Sequence, residues 1–205
     1  EAIHEALALC DEVIYIYIFD PRMWNGKTDF GLPKTGKARK QFIVESIRNL
    51  KSQLDHFGGR LHVEVGLPEE LIYEYARLTK VNWIFCNRER TKEEKDVQDR
   101  LEKELWGIGV EMCYSRGKML YYTQDLPFPV NHTPDQFTAF RKEVEKFIPI
   151  REPLPTPSQF KSVEMPDFVE KWPDHVEQPN VDFEGGETAG LDRLQYYMWE
   201  TDHVK

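Results

Sequence analysis

Asn87-Arg88-Glu89 directly follows the apolar run Trp83–Cys86. In open α/β sheets ligands bind in the crevice beyond the carboxyl ends of the strands, so a polar triplet at this place is a candidate for binding chemistry. A carboxylate there can accept hydrogen bonds from ligand amino groups. The next residues, Thr91-Lys92-Glu93-Glu94, have the Thr-x-x-Glu spacing of a capping box, which predicts a helix start and leaves Glu89 outside the cap. Glu89 reads equally as a solvated loop carboxylate, and spacing alone keeps both readings open.

A second pattern is Gly31-Leu-Pro-Lys-Thr-Gly36-Lys37-Ala38, a G-x-x-x-x-G-K run with Ala where a phosphate-binding loop needs a metal-holding hydroxyl. Such a loop also follows its strand at once, whereas residues 20–30 intervene here. A helix start is the expected role, with Lys34, Lys37 and the first amides able to face an anion. There is no G-x-S-x-G and no H-E-x-x-H, and none of the six histidines pairs at metal-ligand spacing. Cys10, Cys86 and Cys113 form neither a disulfide framework nor a zinc site, and suit a reducing cytosol. Phe137, Phe140 and Phe147 are spaced like a buried helix face.

The elements that must position these residues alternate. A first amphipathic helix (Ile3, Ala6, Leu7, Cys10) precedes Val13–Phe19, a seven-residue apolar run that reads as a strand buried on both faces. Helix follows over about Thr35 to Phe57, ended by Gly58-Gly59. Leu61–Val65 is a strand, Pro68 opens a helix carrying Leu71, Ile72, Tyr75 and Leu78, and Trp83–Cys86 is a second buried strand. A helix with Val97, Leu101 and Leu105 and a strand Val110–Tyr114 complete the series. Strands alternating with helices predict a Rossmann-like parallel sheet with flanking helices.

The pattern changes at Asp125-Leu-Pro-Phe-Pro129, which one more helix through Phe147 follows. Residues 148–184 hold seven of the 13 prolines and read as a linker draped over a surface. Leu191, Leu194 and Met198 then begin a helix whose apolar face has nothing in this chain to pack on. The expected division is therefore 1–147, an α/β domain; 148–184, a linker; and 185–205, the start of a further helical domain. Both ends look cut, so the chain is expected to be part of a longer protein.

The 205 residues carry a net charge of -9. Residues 151–205 hold 5 Lys+Arg against 12 Asp+Glu, a net of -7, which leaves -2 for the rest. This is not the basic footprint of a module that grips nucleic acid by itself. No apolar run approaches the ~20 residues that span a bilayer, and no secretory signal is visible.

Six segments, in order, resemble the photolyase/cryptochrome family, most closely its DASH cryptochrome branch. They are Val13–Arg22, Lys34–Phe42 with Glu45-Ser46, Glu89-x-Thr-x-Glu-Glu94, Asp125–Pro129, Phe137-Thr-x-Phe-Arg-Lys142, and Phe183–Gly190 leading into Leu194 and Trp199. The resemblance implies an amino-terminal antenna domain whose first, central strand and following arginine-rich turn are absent here, leaving two strand edges open. It implies a cytoplasmic blue-light flavoprotein with FAD in its helical domain, which is the antenna domain's intramolecular partner and meets DNA. It also implies light-driven repair of cyclobutane pyrimidine dimers, preferentially in single-stranded DNA, and a methenyltetrahydrofolate antenna. The family's acidic antenna-binding residue falls on Glu89, and Lys34 and Arg39 border the same cleft. None of the five tryptophans is assignable to the family's electron-transfer chain, so this chain alone is expected to be inert. The competing readings are a photoreceptor that signals without repair, and a nucleotide-binding α/β protein that uses Gly31–Lys37.

Overall fold

The computed structural model describes residues 1–174 and 182–201. Residues 175–181 of the expected linker and 202–205 of the expected helical start lie outside the described residues. The element order is α1 (Ala2–Leu9), β1 (Tyr15–Phe19), α2 (Pro21–Trp24), α3 (Lys37–His56), β2 (Leu61–Val65), α4 (Pro68–Thr79), β3 (Trp83–Asn87), α5 (Lys92–Trp106), β4 (Glu111–Ser115), α6 (Phe137–Phe147) and α7 (Glu187–Gln195). The α/β reading with a parallel sheet and flanking helices holds. α3 stops because Gly58 adopts φ +76°, which lets Gly59 N–H reach the Leu54 carbonyl and Gly58 N–H reach that of Asp55.

The strands pair as two separate parallel ribbons, β1–β2 and β3–β4, in registers Tyr15↔Leu61 and Trp83↔Glu111. Among the described residues, the β1 edge away from β2 and the β3 edge away from β4 carry no ladder. This is why the strands are less buried than their apolar runs predict. Ile16, Tyr17 and Ile18 are half-buried, and Trp83 is exposed. Each ribbon has its own core. Tyr15, Phe19, Trp24, Ile47, Leu54, Leu61, Val63 and Phe160 pack around the first; Ala76, Leu101, Leu105, Val110 and Met112 around the second. Full burial of Val63 and Leu105 contributes roughly 1.5–3 kcal/mol each.

Tyr75 of α4 donates to the buried Glu64 of β2 (2.9 Å), and two further seams join the halves. α1 lies against β3 and β4, while its Leu7 packs on the first core. At the carboxyl end of β1, Asp20 caps α2 and orients Arg22 (2.6 Å), which grips Glu69 with two 2.8 Å hydrogen bonds. Arg100 of α5 reaches the same carboxylate at 2.9 Å. Glu69 is only 1% exposed. Burial alone would raise its pKa, but the Arg22 hydrogen bonds, its own backbone amide and the two guanidinium charges outweigh burial and hold it below the usual carboxylate range.

The proline-rich stretch is fastened to the first ribbon. Val13 and Ser162 form a parallel bridge, and Lys171 N–H donates to the Val63 carbonyl (3.0 Å). On β2, His62 and Glu64 point to the face this stretch covers, and each is 2% exposed. Glu64 accepts from Val65 N–H, Tyr75 O–H and Lys171 Nζ. His62 meets the Tyr15 carbonyl through Nδ1 (3.1 Å) and accepts Met165 N–H through Nε2 (3.2 Å), so it is neutral with its proton on Nδ1.

Three expectations change. Phe137 and Phe147 are 74% and 55% exposed, because α6 buries only Val144 and turns its two ends to solvent. Leu78 is likewise exposed, α4 burying Ala76 and Glu69 instead. Thr91 is the N-cap of α5, but its hydroxyl donates to the Glu94 carboxylate and caps no backbone amide, so the capping box does not close. Finally, α7 docks on α3 by polar capping: Asn49 Oδ1 accepts Glu187 N–H (3.1 Å) and Glu45 accepts Gly185 N–H (2.8 Å). A side chain at Gly185 would lie 2.2 Å from the Phe42 carbonyl.

Two outcomes follow. Glu69→Ala should lower unfolding free energy by about 2 kcal/mol in urea titration, since two partly exposed arginines lose a shared buried partner; a change below about 0.5 kcal/mol refutes the seam. Burial lowers the His62 pKa from 6.5, against the Tyr15 carbonyl bond and amid Arg60, Lys51 and Glu164. The unfolded chain therefore takes up this proton first. The His62 contribution is complete above about pH 6.5 and falls by at most about 1.4 kcal/mol per unit below it. Urea midpoints between about pH 7.5 and 5.5 should fall more steeply in the native protein than in His62→Gln; equal slopes contradict the buried neutral imidazole.

Candidate functional site

Glu89 is delivered by the carboxyl end of β3. Asn87 pairs with Ser115 of β4, and Arg88 N–H still donates to the Ser115 carbonyl at 2.9 Å, so the chain stays extended one residue past the strand. The Arg88 side chain turns toward α5, binding Asp99 (2.6 Å) and lying over the Tyr114 ring (4.6 Å). Glu89 diverges from it. Its carboxylate, 28% exposed, is paired with Lys118, 45% exposed, from the loop after β4.

The half-buried Lys34 comes to the same rim from the loop before α3 and pairs with Glu93 at 2.5 Å. Between the two lysines lies Glu94. The Thr91 hydroxyl first, then its own backbone amide, hold its carboxyl below the usual range against burial, and the charges of Lys118 and Lys34 add to this. Glu89, Lys118, Glu94, Lys34 and Glu93 thus form a rim of alternating charge at the strand ends. Arg39 is not brought into it. It stands exposed in the first turn of α3, and its charge acts on Tyr17 of β1, whose pKa burial nonetheless raises. Of the three residues singled out in the sequence, two share a rim and the third lies apart.

Two members of this region have no motif. Lys118 carries no signal in the sequence. Gln98 does: with Leu101 and Leu105 it sits at i, i+3 and i+7 on the inward stripe of α5, and a polar residue on such a stripe calls for a buried partner.

The G-x-x-x-x-G-K run is a closed turn that leads into α3. Gly31 N–H bonds to Thr28, Thr28 N–H to Leu32 and Lys34 N–H to Gly26, and Gly36 is the N-cap of α3. A cleft of about 440 Å³ opens between Trp24, Val65, Lys171 and Trp172, and none of Glu89, Lys34 and Arg39 lines it. Among the described residues no group of His, Cys, Asp or Glu could hold a metal ion, and no helix is long and apolar enough to cross a membrane.

Comparison with known proteins places this geometry. Residues 1–158 match the family model of DNA photolyase. Cryptochrome DASH of Synechocystis sp. is 38% identical over the whole chain, which spans 44% of that relative. The crystal structure of a Synechocystis cryptochrome superposes with a TM-score of 0.90 at 37% identity, covering 97% of this chain and 43% of that one. The fold alone is shared with an archaeal photolyase from Sulfolobus tokodaii, described with two FAD molecules, at a TM-score of 0.74 and 23% identity over 95% of this chain and 42% of that one. The chain therefore belongs to the DNA photolyase family and is similar along its whole length to cryptochrome DASH proteins.

Proposed function

We propose that this chain is the antenna-chromophore-binding part of a blue-light flavoprotein, and that Glu89 is the residue that holds the antenna. One observation carries the reading: Glu89 lies at the carboxyl end of a parallel strand, partly exposed, with its carboxylate opposed by a lysine from a loop. The donor set suits methenyltetrahydrofolate. A carboxylate accepts from the amino group of a pterin, and the ammonium groups of Lys118 and Lys34 suit the carboxylates of a folate. Bound there, the folate supplies near-ultraviolet absorption and passes its excitation to a flavin.

The chain's own part is binding and orientation. Glu89 fixes the pterin edge, Lys118 and Lys34 hold the anionic end, and the turn before α3 walls the rim. Arg39, one face away, lends positive potential only. In this reading residues 1–147 are the antenna domain, 148–184 the linker, and α7 opens the helical domain that carries FAD. The whole protein is cytoplasmic and repairs cyclobutane pyrimidine dimers in single-stranded DNA through that helical domain. The net charge of -9 supports leaving DNA contact to another part of the protein.

Absorption spectra of the whole protein and of Glu89→Gln provide the test. The native protein should show flavin bands plus a near-ultraviolet folate band, and the variant should keep the flavin and lose the folate. An unchanged folate band in the variant removes Glu89 from the site. A protein that stays colourless after reconstitution with FAD and folate overturns the flavoprotein reading.

A further inference from the structure

The Glu89 backbone is held by a side chain that neither the sequence motifs nor the proposed folate contacts include. Gln98, 9% exposed, projects from the second turn of α5 onto the chain leaving β3. Its Oε1 accepts Glu89 N–H at 3.0 Å, and its Nε2 donates to the Asn87 carbonyl at 2.8 Å. Nε2 also lies 3.6 Å from Cys86 Sγ.

The pairing pattern gives these bonds their meaning. Arg88 N–H points to β4, so the Asn87 carbonyl and the Glu89 amide point to the opposite edge of β3. In a parallel ladder one residue of a neighbouring strand donates to the carbonyl of residue i−1 and accepts from the amide of residue i+1. The Gln98 amide does both, with Arg88 as residue i. It acts as a one-residue strand, on an edge that has no ladder among the described residues.

The geometry points to Gln98 as the positioning residue of the antenna site: its primary amide keeps residues 87–89 extended and so aims the Glu89 carboxylate at the ligand. This rests on the reading of Glu89 as the antenna-holding residue. Gln98 touches no ligand. Without its amide, Glu89 keeps its charge and loses its direction.

The test uses the whole protein with 5,10-methenyltetrahydrofolate as probe, read by fluorescence titration, the bound-state absorption band and thermal unfolding. Gln98→Met keeps the length of the side chain and removes both hydrogen bonds. It should raise Kd at least about tenfold, the scale of one or two lost hydrogen bonds, and shift the bound band. Gln98→Glu is the decisive second variant. Ionised, it can accept from Glu89 N–H but cannot donate to Asn87; protonated, it restores both bonds. Its Kd should therefore improve toward the native value as pH falls from about 8 to 6, while native Kd changes little. Native affinity in Gln98→Met, with affinity lost in Glu89→Gln, overturns the positioning role. So does a Gln98→Glu titration parallel to the native one. If Glu89→Gln itself binds natively, the site reading falls and takes this inference with it.

Discussion

Glu69 receives Arg22 from the end of the first ribbon and Arg100 from the helix over the second, and no backbone ladder joins those ribbons among the described residues. Two separate apolar cores would otherwise be connected by the chain, by α1, by the Tyr75–Glu64 hydrogen bond and by surface ion pairs such as Lys34–Glu93. Burying a lone carboxylate is costly, and its attraction to two cations repays this only when the geometry is good. Here it is: Nη1 and Nη2 of Arg22 each meet one Glu69 oxygen, and Glu69 stands in the first turn of α4, where the helix dipole favours a negative charge. The Asp20-Pro21-Arg22 turn is built to deliver that guanidinium, since Pro21 fixes the first residue of α2 and Asp20 holds Arg22 from behind. Through this seam the turn at the carboxyl end of β1 is tied to α4 and α5 of the second half.

Most of the element order was legible because apolar run length and helical periodicity are local properties. Leu61–Val65 matches to the residue, Trp83–Asn87 runs one residue longer than expected, and Glu111–Ser115 is shifted by one at both ends. What failed to show was tertiary. Strand runs look alike whether one edge or both are covered, so the open edges of the two ribbons were anticipated by the family resemblance alone, with its absent first strand. A Thr-x-x-Glu spacing does not say whether the hydroxyl faces an amide or the carboxylate, and at Thr91 it faces the carboxylate. Phe137 and Phe147 have helical spacing, but only the middle of α6 meets a neighbour. Glu89 and Lys34 were visible by type and place. Lys118 was not, because its loop is brought to Glu89 by the β3–β4 pairing.

β2 shows how a strand can hold a proline-rich stretch through its side chains. Leu-His-Val-Glu-Val alternates, which predicts His62 and Glu64 facing water. Both are buried instead, and each offers what an extended chain lacks: His62 accepts a backbone amide, and Glu64 takes a lysine. The Phe168 ring then stands edge-on to His62, with centroids 4.7 Å apart. The proline-rich stretch forms no regular ladder on β2 among the described residues, and its Met165 amide and Lys171 ammonium find their acceptors in the His62 and Glu64 side chains. Asn49 of α3 in turn caps the N-terminus of α7.

The site joins a stiff backbone to an easily exchanged partner, and the two follow from different degrees of burial. Gln98 is almost fully buried, so its hydrogen bonds are insulated from water and hold residues 87–89 in one shape. The Glu89–Lys118 pair is part-exposed, a regime in which an ion pair contributes ~0–1 kcal/mol. A ligand that brings its own donors to Glu89 therefore loses little by displacing the lysine, and the ammonium is left beside it for an anionic group. Were the pair buried as deeply as Glu69, the same displacement would strand a charge and oppose binding. Under the proposed reading, chromophore capture for energy transfer needs fixed orientation with ready loading, and this division of burial between the Gln98 support and the Glu89 carboxylate suits both.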